Sequence, residues 1–397
     1  LTIALAPSAV GEATIDGTID LTGWETLSDT HGTYYRTTAA LGDSVWQVFV
    51  DGAPLTPARW PNALLWTTEW WDRGTGWAKQ DTGSTCGTSV DNGTLSPAYG
   101  EVGYQSLAAT GVSFDGCNMI LNNEHWKSRR YTVSNHAAGT ASFTYANDAN
   151  SLCTYYGTDV ANSAYFIDGC VAAFDFAGEW VSDASGHVMV RLPSGVSDIG
   201  SVSVTAKAQT YAFAFSSCHG LTLTGLSFFA TTVLVYDSAN VTMRANTWRY
   251  PSASRRALGG SVSEFDAQAT YAIDSSAANT GMVADESEYE IIVPTTWVGR
   301  RPWTTLQSRL TFEDNAVHHS EGAALLCAYC HGDRIHNNHI AHAGYPWARA
   351  LQFGGTITHY VTVSRNRIDY AGSGAIAWMW GVGNTCEYNH ISHSGLL

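Results

Sequence analysis

Leu310-Thr-Phe-Glu-Asp-Asn-Ala-Val317 lies over Ile335-His-Asn-Asn-His-Ile340, over Val361-Thr-Val-Ser-Arg-Asn-Arg-Ile368 and over Glu387-Tyr-Asn-His-Ile391. Leu221-Thr-Leu-Thr-Gly-Leu-Ser-Phe228 and Val241-Thr-Met-Arg-Ala-Asn-Thr-Trp248 fit the same template. Each copy reads as a strand, a polar turn and a second strand. The turn Asn recurs at Asn315, Asn338, Asn366 and Asn389, 23, 28 and 23 residues apart. That interval suits one coil of a β-solenoid. The reading is an all-β chain whose C-terminal half is a right-handed parallel β-helix.

Solenoid physics accounts for the residue types. Alternate apolar side chains enter a narrow core, and equivalent positions on successive coils lie one strand spacing apart, ~4.8 Å. Asn tolerates a left-handed turn, and its amide can bond to the Asn above and below. Small-residue corners follow, as in Ala341-His-Ala-Gly344 and Tyr370-Ala-Gly-Ser-Gly374. Ala350-Leu-Gln-Phe353 and Ala375-Ile-Ala-Trp378 supply a third face.

Residues 249–309 break the period with a polar excursion carrying Arg255-Arg256, Asp285-Glu-Ser-Glu288 and Arg300-Arg301. Such an insertion must leave the coil, and loops of this kind often line a working face. The division expected is 1–205, an N-terminal β-rich domain whose first strands can cap the helix, and 206–397, the β-helix with its last coil incomplete. Within the first part, Val45–Val50, Asp51-Gly52 and Ala53–Thr56 form a hairpin signal, since Asp-Gly favours a type I′ turn.

Composition narrows the function. The formal charge is −15 with only three Lys among 397 residues, which argues against a nucleic-acid face. No apolar run is long enough for a membrane span. Eight cysteines are scattered, with one close pair, Cys327 and Cys330. Zinc normally draws on two such pairs or on His partners, so disulfides in an oxidising compartment are the reading, and no metal is expected. The pairings expected are Cys86 with Cys117, Cys153 with Cys170, and Cys327 with Cys330. Sequons at Asn92 and Asn240 agree with a secreted, extracellular or cell-surface glycoprotein.

Phe49-Val-Asp-Gly52, Ala58-Arg-Trp-Pro-Asn62, Gly178-Glu-Trp180 with Asp183 and Gly186, and Pro193-Ser-Gly195 precede the coils. Together they resemble pectin-lyase-like right-handed β-helix proteins with an inserted N-terminal β domain. Many of those are glycoside hydrolases or polysaccharide lyases, so the resemblance implies carbohydrate chemistry, with calcium if the chain is a lyase. The Trp-rich segment after Asn62 is similar to secreted algal proteins of the sexually induced and mastigoneme-shaft kind, which implies a structural subunit.

The candidate chemistry is spread along the coils. Nine of the 14 His lie between 318 and 393, and His319, His342 and His393 each follow a ladder Asn by four residues, with Tyr370 between them. They form a proton-transfer or metal line, or a structural ladder beside the Asn stack. Arg365 and Arg367 alternate as if on one strand face, either cations for an anionic sugar or a solvated face. Hydrolysis needs two carboxylates, and Asp369 and Glu387 from neighbouring coils are the available pair. If the chain is an enzyme, the catalytic candidates are therefore Asp369, Glu387, Arg365 and His342. Glu124-His-Trp-Lys127 with Arg129-Arg130, and the run Trp60, Trp66, Trp70, Trp71 and Trp77, read either as sugar or contact surfaces or as packing.

Two classes of function remain. One is an extracellular structural subunit of a filament or wall, partnered by other subunits and glycans. Its motives are scarce Lys, no distinguishable acid/base pair, the Trp-rich segment, and Ile376, Trp378 and Ile391 near an unfinished coil. The other is a polysaccharide lyase or glycoside hydrolase.

Overall fold

The computed structural model describes residues 1–4, 13–42, 45, 47–72, 76–95, 106–124, 127–146, 160–209, 211–216, 218–236, 238–251, 296–299, 309–328, 330–344, 349–354, 359–372, 374–378 and 381–395. These are nearly all β, and the one α-helix among them is four residues, Thr68–Trp71. Among the described residues no helix is long and apolar enough to cross a membrane. The described residues divide into two units, one holding residues 1–18, 207–251 and 296–395, the other 19–206. The first strands, Thr2–Ala4 and Thr14–Asp16, thus belong with the repeats, where they pair in parallel with Thr222–Thr224 and Ser227–Phe229.

The first unit consists of three parallel sheets of seven, seven and six strands. Among the described residues, each repeat but the last gives one strand to each sheet. Sheet A takes Thr222–Thr224, Thr242–Arg244, Thr311–Glu313, Arg334–His336, Thr362–Ser364 and Thr385–Glu387 after its opening strand. Sheet B takes Ser227–Phe229, Thr247–Arg249, Ala316–Ser320, His339–Ala343, Arg367–Ala371 and His390–Ser394. Sheet C runs from Tyr211–Ser216 to Gly374–Trp378 and includes Thr296–Gly299, paired with Thr232–Tyr236 and Leu325–Ala328. Residues 249–309 are therefore not one excursion: the chain returns for a sheet C strand. Arg255, Arg256, Asp285, Glu288, Arg300 and Arg301 lie outside the described residues.

Alternation explains the core. Leu223, Met243, Phe312, Ile335 and Val363 stack inward from sheet A, and Phe228, Trp248, Val317, Ile340 and Ile368 from sheet B. Phe228 and Trp248 stack with centroids 5.0 Å apart. Burying each such side chain contributes roughly 1.5–3 kcal/mol, and parallel stacking repeats that gain on every repeat.

Between sheets A and B runs an Asn ladder of five, because Asn246 precedes the four expected members. The backbone N–H of Asn246, Asn315, Asn338 and Asn366 donates to the Oδ1 of the next Asn at 2.9–3.0 Å. Each Nδ2 turns back to a carbonyl, Asn315 to Met243 and Asn338 to Phe312, both at 2.9 Å. The left-handed residue is not the Asn but the one before it: Ala245, Asp314, Asn337, Arg365 and Tyr388 have φ between 54° and 57°, or 52° for Asn337. Asn is required here for its side chain, which saturates backbone groups that a sharp corner leaves unpaired.

The second unit holds mainly antiparallel sheets. Gln47–Val50 pairs with Ala53–Pro54, and Asp51 and Gly52 both have positive φ, 49° and 76°, as a type I′ turn requires. The motifs quoted above meet here. Thr56–Pro57 pairs in parallel with Glu179–Ser182, Ala58 N–H donates to Trp180 O, and Asn62 Nδ2 donates to Asp175 Oδ1. Glu179 is buried and accepts from the N–H groups of Arg59, Asp175 and Phe176. Burial pushes its carboxyl well above the ordinary range.

Two expectations are corrected here. Cys117 pairs with Cys170, Cα atoms 5.3 Å apart, which excludes both Cys86 with Cys117 and Cys153 with Cys170. Cys86 is disulfide-bonded, and Cys153 lies outside the described residues. Spacing misleads because strands brought together by the fold, not neighbours in sequence, decide which sulfurs meet. Of the two readings left open for the tryptophan run, packing holds for Trp70, Trp71 and Trp77, at most 1% exposed, and for Trp60, 8% exposed, while Trp66 is half-buried. Buried Arg59 explains the density of rings, its guanidinium lying 4.8 Å from the Trp70 centroid and 4.1 Å from Phe166.

Candidate functional site

The densest chemistry lies on the outer face of sheet B. Inward apolar residues on each strand leave the flanking positions pointing out, and the parallel register stacks them in columns. One column runs Arg249, His318, Ala341, Asp369, Ser392; the other runs Ala316, His339, Arg367, His390. His339 leans across, its ring 5.1 Å from that of His318 and its Nε2 3.4 Å from Asp369 Oδ2.

Asp369 is the hub. Ser392 Oγ donates to its Oδ1 at 2.5 Å, and Arg367 Nε donates to its Oδ2 at 2.5 Å. Burial by itself raises its carboxyl, but bonds from Ser392 and Arg367 prevail and hold it below the usual range, ionised. With both oxygens engaged it acts as an anchor. The bond to His339 Nε2 favours the tautomer whose Nδ1 carries the free lone pair.

Along one edge stands a column of rings in the left-handed conformation: Tyr250, His319, His342, Tyr370 and His393, with φ of 49–60°. Successive centroids are 5.1, 4.9, 4.7 and 4.4 Å apart, with planes within 21° of parallel. A left-handed residue costs roughly 1–2 kcal/mol. A ring pair returns about 0.5–1.5 kcal/mol, so the stack offsets much of that strain. His342 has both ring faces covered, which gives it the structural role of the two offered by the sequence.

His318, His319 and His342 are held neutral. Burial, with repulsion from His342 and His318, lowers His319 to about 4. Burial lowers His318 and His342 as well, reinforced for His318 by His339 and Arg249 and for His342 by His318, against a smaller raising by Asp369. The unfolded chain takes up protons near 6.5 while the folded column resists them. Stability is therefore complete above that value and declines as pH falls from about 6.5 toward about 4, where His319 protonates in both states. Urea midpoints measured across this window should fall, and His319→Phe, which keeps the stack without the charge, should flatten the slope. An equal slope in the variant would remove His319 from the account.

The remaining sequence candidates separate. Glu387 is exposed on the last strand of sheet A, opposite Ser364, so Asp369 and Glu387 lie on different sheets and do not form a facing pair. Arg365 occupies the corner before the strand Arg367–Ala371, its guanidinium 5.8 Å from the Tyr388 ring, so it shares no strand face with Arg367. Asn92 and Asn240 are both exposed. The strands Asn118–Glu124 and Lys127–Thr132 pair antiparallel, while the side chains of Glu124, His125, Trp126, Lys127 and Arg129 lie outside the described residues. Sequence reading passed over His318, His339 and Ser392. Their signal was the recurring outward, inward, outward triplet, as in His339-Ile-Ala341 and Arg367-Ile-Asp369.

No family model and no curated protein matches this chain. Its structural neighbours are glycoside hydrolases. One, described only as a glycoside hydrolase, is 11% identical over 98% of this chain and 84% of its own, with a TM-score of 0.40. Another is the catalytic domain of a GH87 alpha-1,3-glucanase in complex with tetrasaccharides, 9% identical over 97% and 71%, with a TM-score of 0.24. The disulfides are consistent with an extracellular protein.

Proposed function

We propose that the first unit is a right-handed parallel β-helix and that the outer face of sheet B is the working face of a secreted carbohydrate-active enzyme. The observation that carries this reading is the Ser392–Asp369–His339 chain beside Arg367, an oriented imidazole next to a guanidinium whose side chain is 64% exposed. The filament reading loses one of its motives, because Trp60, Trp70, Trp71 and Trp77 are core, while Ile391 on the last strand of sheet B is 44% exposed.

The group set favours elimination over hydrolysis. Two-carboxylate hydrolysis needs a partner for Asp369, and the strands Ala316–Ser320, His339–Ala343 and His390–Ser394 carry none. Elimination needs a base for the proton beside a uronate carboxyl and a cation to stabilise the resulting negative charge. His339 Nδ1 takes that proton, and the C–H electron pair becomes a C=C bond as the glycosidic C–O bond on the adjacent carbon breaks. Arg367 stabilises the negative charge, and the departing sugar oxygen takes a proton from solvent. Calcium has no carboxylate cluster to hold it on this face among the described residues.

Incubation with uronate-containing and with neutral polysaccharides tests this. Products bearing an ultraviolet-absorbing double bond from the uronates are expected. New reducing ends without that absorbance would make the enzyme a hydrolase, and no product from any glycan would end the enzymatic reading.

A further inference from the structure

The outer face of sheet B carries a second arginine that the elimination chemistry leaves unused. Arg249 closes the strand Thr247–Arg249, in which Trp248 turns inward and Arg249 is exposed. It stands in register with His318, Ala341 and Asp369 on the next three strands, so three strand spacings, ~14 Å, separate it from the strand that bears Arg367. Its guanidinium lies 5.7 Å from the ring centroid of Phe229, its neighbour in the same column. Phe229 in turn meets Tyr250 edge to face at 5.8 Å.

Two contrasts single this residue out. Arg36, Arg191, Arg244, Arg334 and Arg367 each meet a carboxylate, whereas among the described residues none meets Arg249. The chain carries a formal charge of −15, yet the outward positions on the described strands of sheet B bring in only Asp16 and Asp369 as carboxylates. Asp369 is paired with Arg367, and Asp16 lies two strand spacings, ~10 Å, from Arg249. An anionic polymer repelled by the rest of an acidic surface meets little repulsion here. A guanidinium resting on a ring keeps its N–H donors, and a carboxylate accepts two of them side by side.

We infer that Arg249, held in place by Phe229, is a second carboxylate subsite, and that an acidic polysaccharide lies across the strands of sheet B with one uronate at Arg367 and another at Arg249. This rests on the working face proposed above. The separation exceeds the span of a single sugar ring, so the pair of arginines selects chains of several uronates over short ones. His318 and Ala341 floor the stretch between them, and the ring column from Tyr250 to His393 runs in the same direction along the edge of the face.

Calorimetric titration of the full chain carrying His339→Gln, which binds without turnover, reads the subsite. The probes are a uronate hexasaccharide, the disaccharide of the same sugars, and the hexasaccharide with its carboxyls reduced to alcohols. Adding Arg249→Gln should weaken the uronate hexasaccharide by about tenfold, the worth of one charge-assisted pair, and bring it toward the disaccharide. The reduced hexasaccharide should bind both chains equally. Circular dichroism checks that the exposed substitution leaves the fold intact. If Arg367→Gln weakens the hexasaccharide while Arg249→Gln stays within about twofold of its parent, the subsite is wrong and the working face stands. Equal weakening of the reduced hexasaccharide by Arg249→Gln would also overturn carboxylate recognition there. No uronate binding to the parent chain would overturn the subsite and the working face together.

Discussion

Replacing His339 with Gln should lower turnover of the polysaccharide substrate by about 10²–10⁴-fold, the usual contribution of a positioned general base. Gln can still donate to Asp369, so the bonds from Ser392 and Arg367 to that carboxylate stay in place and the face keeps its shape. What disappears is the basic nitrogen. The loss should fall on kcat, with KM little changed, because an imidazole that acts only in the proton transfer adds little to ground-state binding. Asp369→Asn should also reduce kcat, for a different reason. It removes the charge that fixes the His339 tautomer and leaves Arg367 without its partner, so the acid limb of the pH–rate profile should shift as well. Steady-state kinetics on the two variants decide the assignment, and a His339→Gln enzyme within twofold of wild type would rule His339 out as the base.

The second large effect is on stability. Asn338→Ala should destabilise the first unit by roughly 2–6 kcal/mol, because two buried groups lose their partners, the N–H of Asn315 and the carbonyl of Phe312, at about 1–3 kcal/mol each. Against a typical total of about 5–15 kcal/mol this is severe. Asn389→Ala removes the same chemistry at the solvated end of the ladder, where Tyr388 is 79% exposed and water can replace the amide. Its cost should be distinctly smaller. Chemical denaturation of both variants provides the comparison, and equal losses would show that burial does not set the value of a rung.

How much of this was legible in advance follows from the range of each interaction. The recurring Asn, the alternation of Thr-Phe-Glu or Thr-Val-Ser, and the His and Tyr four residues on are local patterns. A parallel stack repeats local patterns at fixed register, so the ladder and the ring column could be read from spacing. The left-handed residue was displaced by one because spacing reveals which side chains align, not which backbone bends.

The amino-acid sequence by itself determined the class of fold, the Asn ladder, the Asp-Gly turn and the Cys327–Cys330 loop, each set by neighbours within one or a few repeats. Only the tertiary structure decided that Trp60, Trp70, Trp71 and Trp77 are core beside Arg59, that Cys117 meets Cys170, that Glu387 lies on a different sheet from Asp369, and that His339 reaches across to Asp369. Those outcomes depend on which strands lie side by side and which face of each is covered. Composition and spacing do not encode that choice one residue at a time, because it is made by burying the whole set of apolar faces at once.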